Sequence, residues 1–189
     1  MSRLPLVDPD TATGEAGEAL RAAAVKLNIF RMMAHAETCA VPQMRLGGAI
    51  LAKQELSHHL RELLILLVAN LEGGAYEWVQ HVPIAEGVGV PSAQIVAIGE
   101  GELTASVFDA AERALLAFGP QVIETVRVED AVFAEAKRWF SDREIVEAIL
   151  TIGFYMTMAR LTEATCTPID PPAGMKVFNS AQRAAGAPA

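Results

Sequence analysis

Glu77 and His81 lie four residues apart in the stretch Tyr76-Glu77-Trp78-Val79-Gln80-His81. On a helix that spacing puts both side chains on one face, one turn apart. A carboxylate beside an imidazole is suited to moving a proton near neutral pH, because the negative charge tunes the ring. A second carboxylate, Glu62, lies fifteen residues before Glu77, at the mouth of the apolar run 63–69. A carboxyl bordering a dry core keeps its proton unless it is paired, which also favours proton transfer. We read the three as a catalytic acid–base group: His81 the general base or acid, Glu77 the charge that tunes and orients it, Glu62 the end of a relay. Plainer readings exist. Glu62 would complement a helix N-terminus, and Glu77 with His81 would form a solvated surface pair. Tyr76, Trp78, Val82 and Ile84 share the segment and argue against full exposure. Tyr76 is a candidate donor to a developing enolate. Arg31 and Arg45 are candidates, by residue type alone, to hold a substrate carboxylate, which a guanidinium binds through paired hydrogen bonds.

The elements that must position these residues read as helices. Residues 15–27 place Ala16, Leu20, Ala23 and Leu27 on one face. Residues 28–38 suit another helix, ended ahead of Pro42, and 43–53 a short one weakened by Gly47-Gly48. Ser57 is placed to cap the next helix, which is apolar all round and therefore central. Gly73-Gly74 ends it, and the Glu77–His81 helix runs from about 75 to 86. The short link makes these two an antiparallel hairpin. Pro91 suits the first turn of a following helix. Ser106 with Asp109 marks an N-terminus for 108–118, residues 129–140 are amphipathic, and Ser141 with Glu144 caps a helix running to about 165. Residues 1–13 read as an irregular arm and 171–189, rich in Pro, Gly and Ala, as an extended tail. Run 63–69 alone would pass as a buried strand, but its flanks give it helix length. The pairs Arg61-Glu62 and Arg143-Glu144 open two apolar helices, an echo that acidic first turns explain as well as a repeat does. The reading is a single all-α domain over 1–189, a compact bundle of seven or eight helices.

Composition narrows the function classes. The chain has 189 residues, 52% of them hydrophobic, which allows a sizeable core and excludes disorder throughout. Its net charge of −8 argues against nucleic acid as a partner and against a basic membrane-surface helix. The seven-residue run 63–69 is far short of a membrane span, and the first twenty residues do not read as a signal peptide, so a cytoplasmic location is expected. Cys39 and Cys166 are distant and outside any Cys-x-x-Cys, which reads as two free thiols, with a disulfide between them left open. His35 with Cys39, and the adjacent His58 and His59, lack metal-site spacing, so no metal is expected. Phosphate-binding glycine loops and a Gly-x-Ser-x-Gly elbow are missing.

The arrangement Arg61-Glu62, apolar helix, Gly73-Gly74, Tyr76-Glu77-Trp78, His81, Ala85, Gly89 resembles the carboxymuconolactone decarboxylase superfamily, which includes the alkylhydroperoxidase D-like proteins. The similarity extends from about Asn28 to Asp170 and takes in Arg143-Glu144. In the peroxidase branch the pattern is a Glu, then Cys-x-x-Cys, then a His four residues after the second Cys. Counting back from His81 puts the second Cys position at Glu77, the first at Gly74 and the Glu at Glu62. The Glu and His match; both redox cysteines are missing, and Cys39 and Cys166 do not fall on the motif. A dithiol peroxidase needs a thiolate and a resolving partner, which Gly and Glu do not supply. The resemblance thus implies the non-redox side: an alkylhydroperoxidase D-like bundle, a cofactor-free lyase or decarboxylase acting on a small carboxylated or lactone substrate, and a homo-oligomer, a trimer or hexamer. The alternatives are a thiol peroxidase using Cys39 or Cys166, and a non-catalytic small-molecule-binding oligomer.

Overall fold

A computed structural model describes residues 2–186. Its helices are α1 (Gly14–Ala22), α2 (Asn28–Met33), α3 (Glu37–Lys53), α4 (His58–Glu72), α5 (Ala75–Gly87), α6 (Ser92–Gly99), α7 (Ala110–Pro120), α8 (Asp130–Trp139), α9 (Asp142–Thr165) and α10 (Gly174–Ala184), with a π turn at Gln121–Thr125. No strand occurs among the described residues.

The centre is α4. The Ser57 hydroxyl accepts from the Leu60 N–H and starts it, and Gly73, at φ 66°, ends it in the left-handed region where a side chain is disfavoured. Residues 63–68 between them are all at 0% exposure. They are apolar on every side because α5, α6, α7 and α9 pack around α4. Each such aliphatic side chain contributes roughly 1.5–3 kcal/mol of transfer free energy. The longest neighbour, α9, opens with a reciprocal capping box between Ser141 and Glu144. One turn on, the Glu147 carboxylate accepts from the Glu55 and Leu56 N–H groups at 2.7 and 2.9 Å, tying the α3–α4 link to α9.

Four local expectations change. The first helix stops at Ala22 instead of 27: Ala23 turns out of helical geometry at ψ 134°, and the chain runs on to Asn28, whose N–H is held by the Asp170 carboxylate at 2.7 Å, a tertiary tie that periodicity does not report. Pro42 lies inside α3 and does not precede it. The carbonyl it leaves without a partner belongs to exposed Thr38, which water can serve. Asp109, with Glu112, caps α7 in place of Ser106. The expected extended tail contains α10, whose Val177, Phe178 and Ala181 pack with Leu51 and Ile84. Gly174 opens it in contact with α5: an added Cβ would lie 2.0 Å from the Gln80 carbonyl oxygen. Residues 187–189 of that tail lie outside the described residues. The helix count rises accordingly, while residues 2–13 carry no helix.

Candidate active site

Across the Gly73-Gly74 link, α4 and α5 fold back on each other and bring Glu62 to His81, with Nδ1 2.8 Å from Oε2. Arg61 fixes the other carboxylate oxygen: its Nε and Nη2 donate to Glu62 Oε1 at 3.1 and 2.9 Å. Its Nη1 is committed to the Leu51 carbonyl and to His58 Nδ1, so the guanidinium is anchored on all sides. Arg61 and Glu62 are both at 0% exposure. A buried ion pair survives only when such hydrogen bonds replace the lost water.

The electrostatics follow from this packing. Burial pushes the Glu62 carboxyl up, but the charge and hydrogen bond of His81 and those of Arg61 outweigh it and hold Glu62 below the ordinary carboxylate range. Glu62 is therefore an ionised acceptor, and the His81 nitrogen facing it carries the hydrogen. In the neutral ring the lone pair is then on Nε2, which has no partner among the described residues. Burial, with Arg61 alongside, lowers His58, leaving its Nδ1 free to accept from the guanidinium.

Glu77 is buried one turn before His81, but the imidazole's hydrogen bond goes to Glu62. Glu77 makes no hydrogen bond to the ring, and the orienting role expected of it belongs to Glu62. Its carboxyl receives the Thr162 hydroxyl at 3.3 Å. Desolvation by burial raises it above the ordinary value, against the pull of its own backbone N–H, His81 and Thr162.

A cavity of about 260 Å³ opens beside these groups. Its walls are mostly apolar, with Phe30, Met33, Met44, Phe154 and Met158 among them, and His81, Glu77 and Tyr155 supply polar points. Among the described residues no Lys or Arg lines it. Arg31 binds the Val7 carbonyl and Asn28, pinning the N-terminal arm, and Arg45 pairs with Glu15 in solvent; neither faces the cavity. Tyr76 lines it, but its hydroxyl donates to Asp170 at 2.5 Å and accepts from the Ile29 N–H, so it has no proton left for an enolate. Cys39 and Cys166 are free, exposed and absent from the lining.

Sequence reasoning missed the anchoring role of Arg61 and the presence of Tyr155. The quoted pair Arg61-Glu62 was the available signal for the first. Tyr155 shares its helix face with Ile152, Met158 and Ala159, and by period alone is a core residue.

The family model for the carboxymuconolactone decarboxylase family matches residues 42–120, the span from α3 to α7 that carries Glu62, Glu77 and His81. Residues 42–120 are thus similar to the carboxymuconolactone decarboxylase family, and the chain shares the alkylhydroperoxidase D-like fold. Solved structures agree on the fold. An uncharacterized peroxidase-related protein from Ralstonia eutropha, with an alkylhydroperoxidase AhpD core, superposes with TM-score 0.76 at 18% identity, over 94% of this chain and 95% of the other. A protein of unknown function from Agrobacterium tumefaciens gives 0.66 at 24%, over 72% and 94%. A cysteine-to-alanine variant of the debrominase Bmp8 in complex with 2,3,4-tribromopyrrole gives 0.71 at 21%, over 98% and 97%. No curated protein matches the sequence. Set against the motif of the peroxidase branch, the chain carries Gly74 and Glu77 where the two cysteines would stand. Gly74 is close-packed: an added Cβ would lie 2.8 Å from Glu77 Oε2 and 2.9 Å from Ala159 Cβ.

Proposed function

We propose that this chain is a member of the carboxymuconolactone decarboxylase superfamily and a cofactor-free acid–base enzyme, a lyase of the decarboxylating kind acting on a small, largely apolar carbonyl or lactone compound. The observation that carries the reading is the buried Arg61–Glu62–His81 chain, which ends at an unpaired imidazole nitrogen beside an apolar cavity. Nε2 takes a proton from the substrate or returns one to it. Glu62 supports the imidazolium that forms, and Arg61 keeps Glu62 ionised and still. Glu77, biased toward the neutral acid by burial, offers the substrate a hydrogen-bond donor.

For a substrate carboxylate the cavity offers no Lys or Arg among the described residues to replace the water it sheds. Such desolvation favours departure as neutral CO2. His81 Nε2 first takes the acid's own proton; the bond to the carboxylate carbon then breaks, its electron pair enters an enolate, CO2 leaves, and the imidazolium so formed returns the proton to the carbon left behind. The small planar ring bound by the debrominase neighbour is consistent with a cavity of this size.

The test is a screen of unsaturated lactones and 3-oxo acids for CO2 release. Activity that survives Cys39→Ser with Cys166→Ser and is lost with His81→Ala supports the reading. Peroxide reduction that follows the cysteines and ignores His81 would overturn it.

A further inference from the structure

Tyr155 is at 4% exposure, lines the cavity, and its hydroxyl has no hydrogen-bond partner among the described residues. Gln94 Oε1 is the buried side-chain polar atom sealed without a partner among the described residues; the Tyr155 hydroxyl is not sealed in, but opens on the cavity and is free to donate there. The ring is held firmly, edge to face with His81 at 4.8 Å between centroids and an 87° interplanar angle, and against Phe154 at 5.2 Å. A rigid, unsatisfied donor thus stands beside the imidazole whose Nε2 is also unsatisfied.

Apart from Glu77, which the acid–base reading already uses, the other polar groups on the wall are spoken for. The Tyr76 hydroxyl is spent on Asp170. The Gln80 amide donates to the Asp170 carbonyl and accepts from the Ala173 N–H. Ser180 is only half-buried, and water can serve it.

We propose that Tyr155 is a catalytic residue that donates a hydrogen bond to the substrate oxygen on which negative charge gathers, and that the substrate is a small planar ring bearing an enolisable carbonyl or phenolic oxygen. This rests on the acid–base reading above. The proton leaves the substrate for His81 Nε2, the electron pair stays on the substrate oxygen, and the resulting pair of charges is held by Glu62 on one side and Tyr155 on the other. Burial foremost, then the Glu62 charge, keeps the phenol protonated and so a donor throughout.

The probe is 4-nitrophenol, which changes colour when it ionises, offered at a pH below its own pKa. Calorimetry measures binding and absorbance measures the bound phenolate-to-phenol ratio. Wild type is expected to bind it and enrich phenolate. Tyr155→Phe, which keeps the ring against His81, is expected to bind it with a ratio about tenfold lower or less, the usual effect of losing a hydrogen bond to a charged group. His81→Gln should abolish the enrichment.

Undiminished enrichment in Tyr155→Phe, with loss in His81→Gln, overturns the Tyr155 proposal and leaves the acid–base site standing. Enrichment in both variants overturns the acid–base reading as well. Failure of wild type to bind overturns the substrate class. A second measurement needs no substitution: the chain has two tyrosines, so fluorotyrosine labelling gives two fluorine resonances. The Tyr155 signal should move on saturation with 4-nitrophenol, and an unmoved signal overturns the proposal.

Discussion

Arg61, Glu62 and His81 form a linear chain of charge, and removing its members has different costs. Arg61→Ala leaves the Glu62 carboxylate buried without its cation, and is expected to destabilise the fold by about 3–5 kcal/mol in urea unfolding. His81→Ala is expected to lower turnover of a true substrate about 10²–10⁴-fold with a smaller effect on stability. The two glutamates respond to pH in opposite directions. Glu62 is held below its ordinary value, so its contribution is present above about 4.5 and is lost as pH falls through its folded value. Glu77 is raised, so its contribution is present below about 4.5 and is lost as pH rises through its folded value. At pH 8 Glu77→Gln should therefore melt higher than wild type, the gap closing toward pH 5, while activity falls. An equal gap at both pH values would contradict the burial of an ionisable Glu77. Residue type and spacing were enough to single out Glu62, Glu77 and His81. They did not decide which carboxylate bonds the imidazole, because Glu62 and His81 meet only when two helices fold together. Arg31 and Arg45 were chosen by type alone, and type says nothing about the direction a surface side chain takes.

The helices differ in how visibly the sequence marks them. Ser57, Gly73 and the Ser141–Glu144 pair write their ends into adjacent residues, and those ends are where the structure has them. α10 carries no such mark. It is short, lies among Pro, Gly and Ala, and is held by packing on Leu51 and Ile84 and by the Gln80 amide, all contributed from distant sequence. Gly174 is the critical point, since an added methyl meets the backbone of α5. Gly174→Ala should loosen α10 from α3 and α5, raising amide exchange over 174–184 and trypsin cleavage at Lys176 and Arg183, with α4 and α9 still protected. Uniform protection in the variant would show that α5 can yield. Gly74 constrains the other end of α5. Restoring a cysteine there must push α5 away from Ala159, so Gly74→Cys with Glu77→Cys should lower the melting temperature before it creates any redox activity.

At the scale of the molecule, α9 presents two faces. Ile152, Tyr155, Met158 and Ala159 go to the core, while Val146, Ile149 and Leu150 are 55%, 40% and 51% exposed. Val146 lies one turn before the adjacent Ile149 and Leu150, and the three make an apolar strip that a subunit contact would cover. Light scattering of the wild type is expected to show a trimer or hexamer, and Leu150→Glu is expected to reduce it to a smaller species with unchanged circular dichroism. A wild-type monomer at micromolar concentration would refute this. The apolar composition foretold much burial, but it could not divide that burial between the core and a neighbouring copy, because both take the same residues.

The cavity wall joins residues far apart in sequence. Phe30 stands on one side and Val177 and Ala181 on the other, and the Asn28 N–H is tied to Asp170. Glu62 and His81 are joined across one short hairpin link, whereas their container is closed by α10, far along the chain. The two are therefore separable. A protease that clips the chain between Thr167 and Gly174 is expected to free α10 from Leu51 and Ile84 and let water into the cavity, while Arg61, Glu62 and His81 keep their bonds to one another.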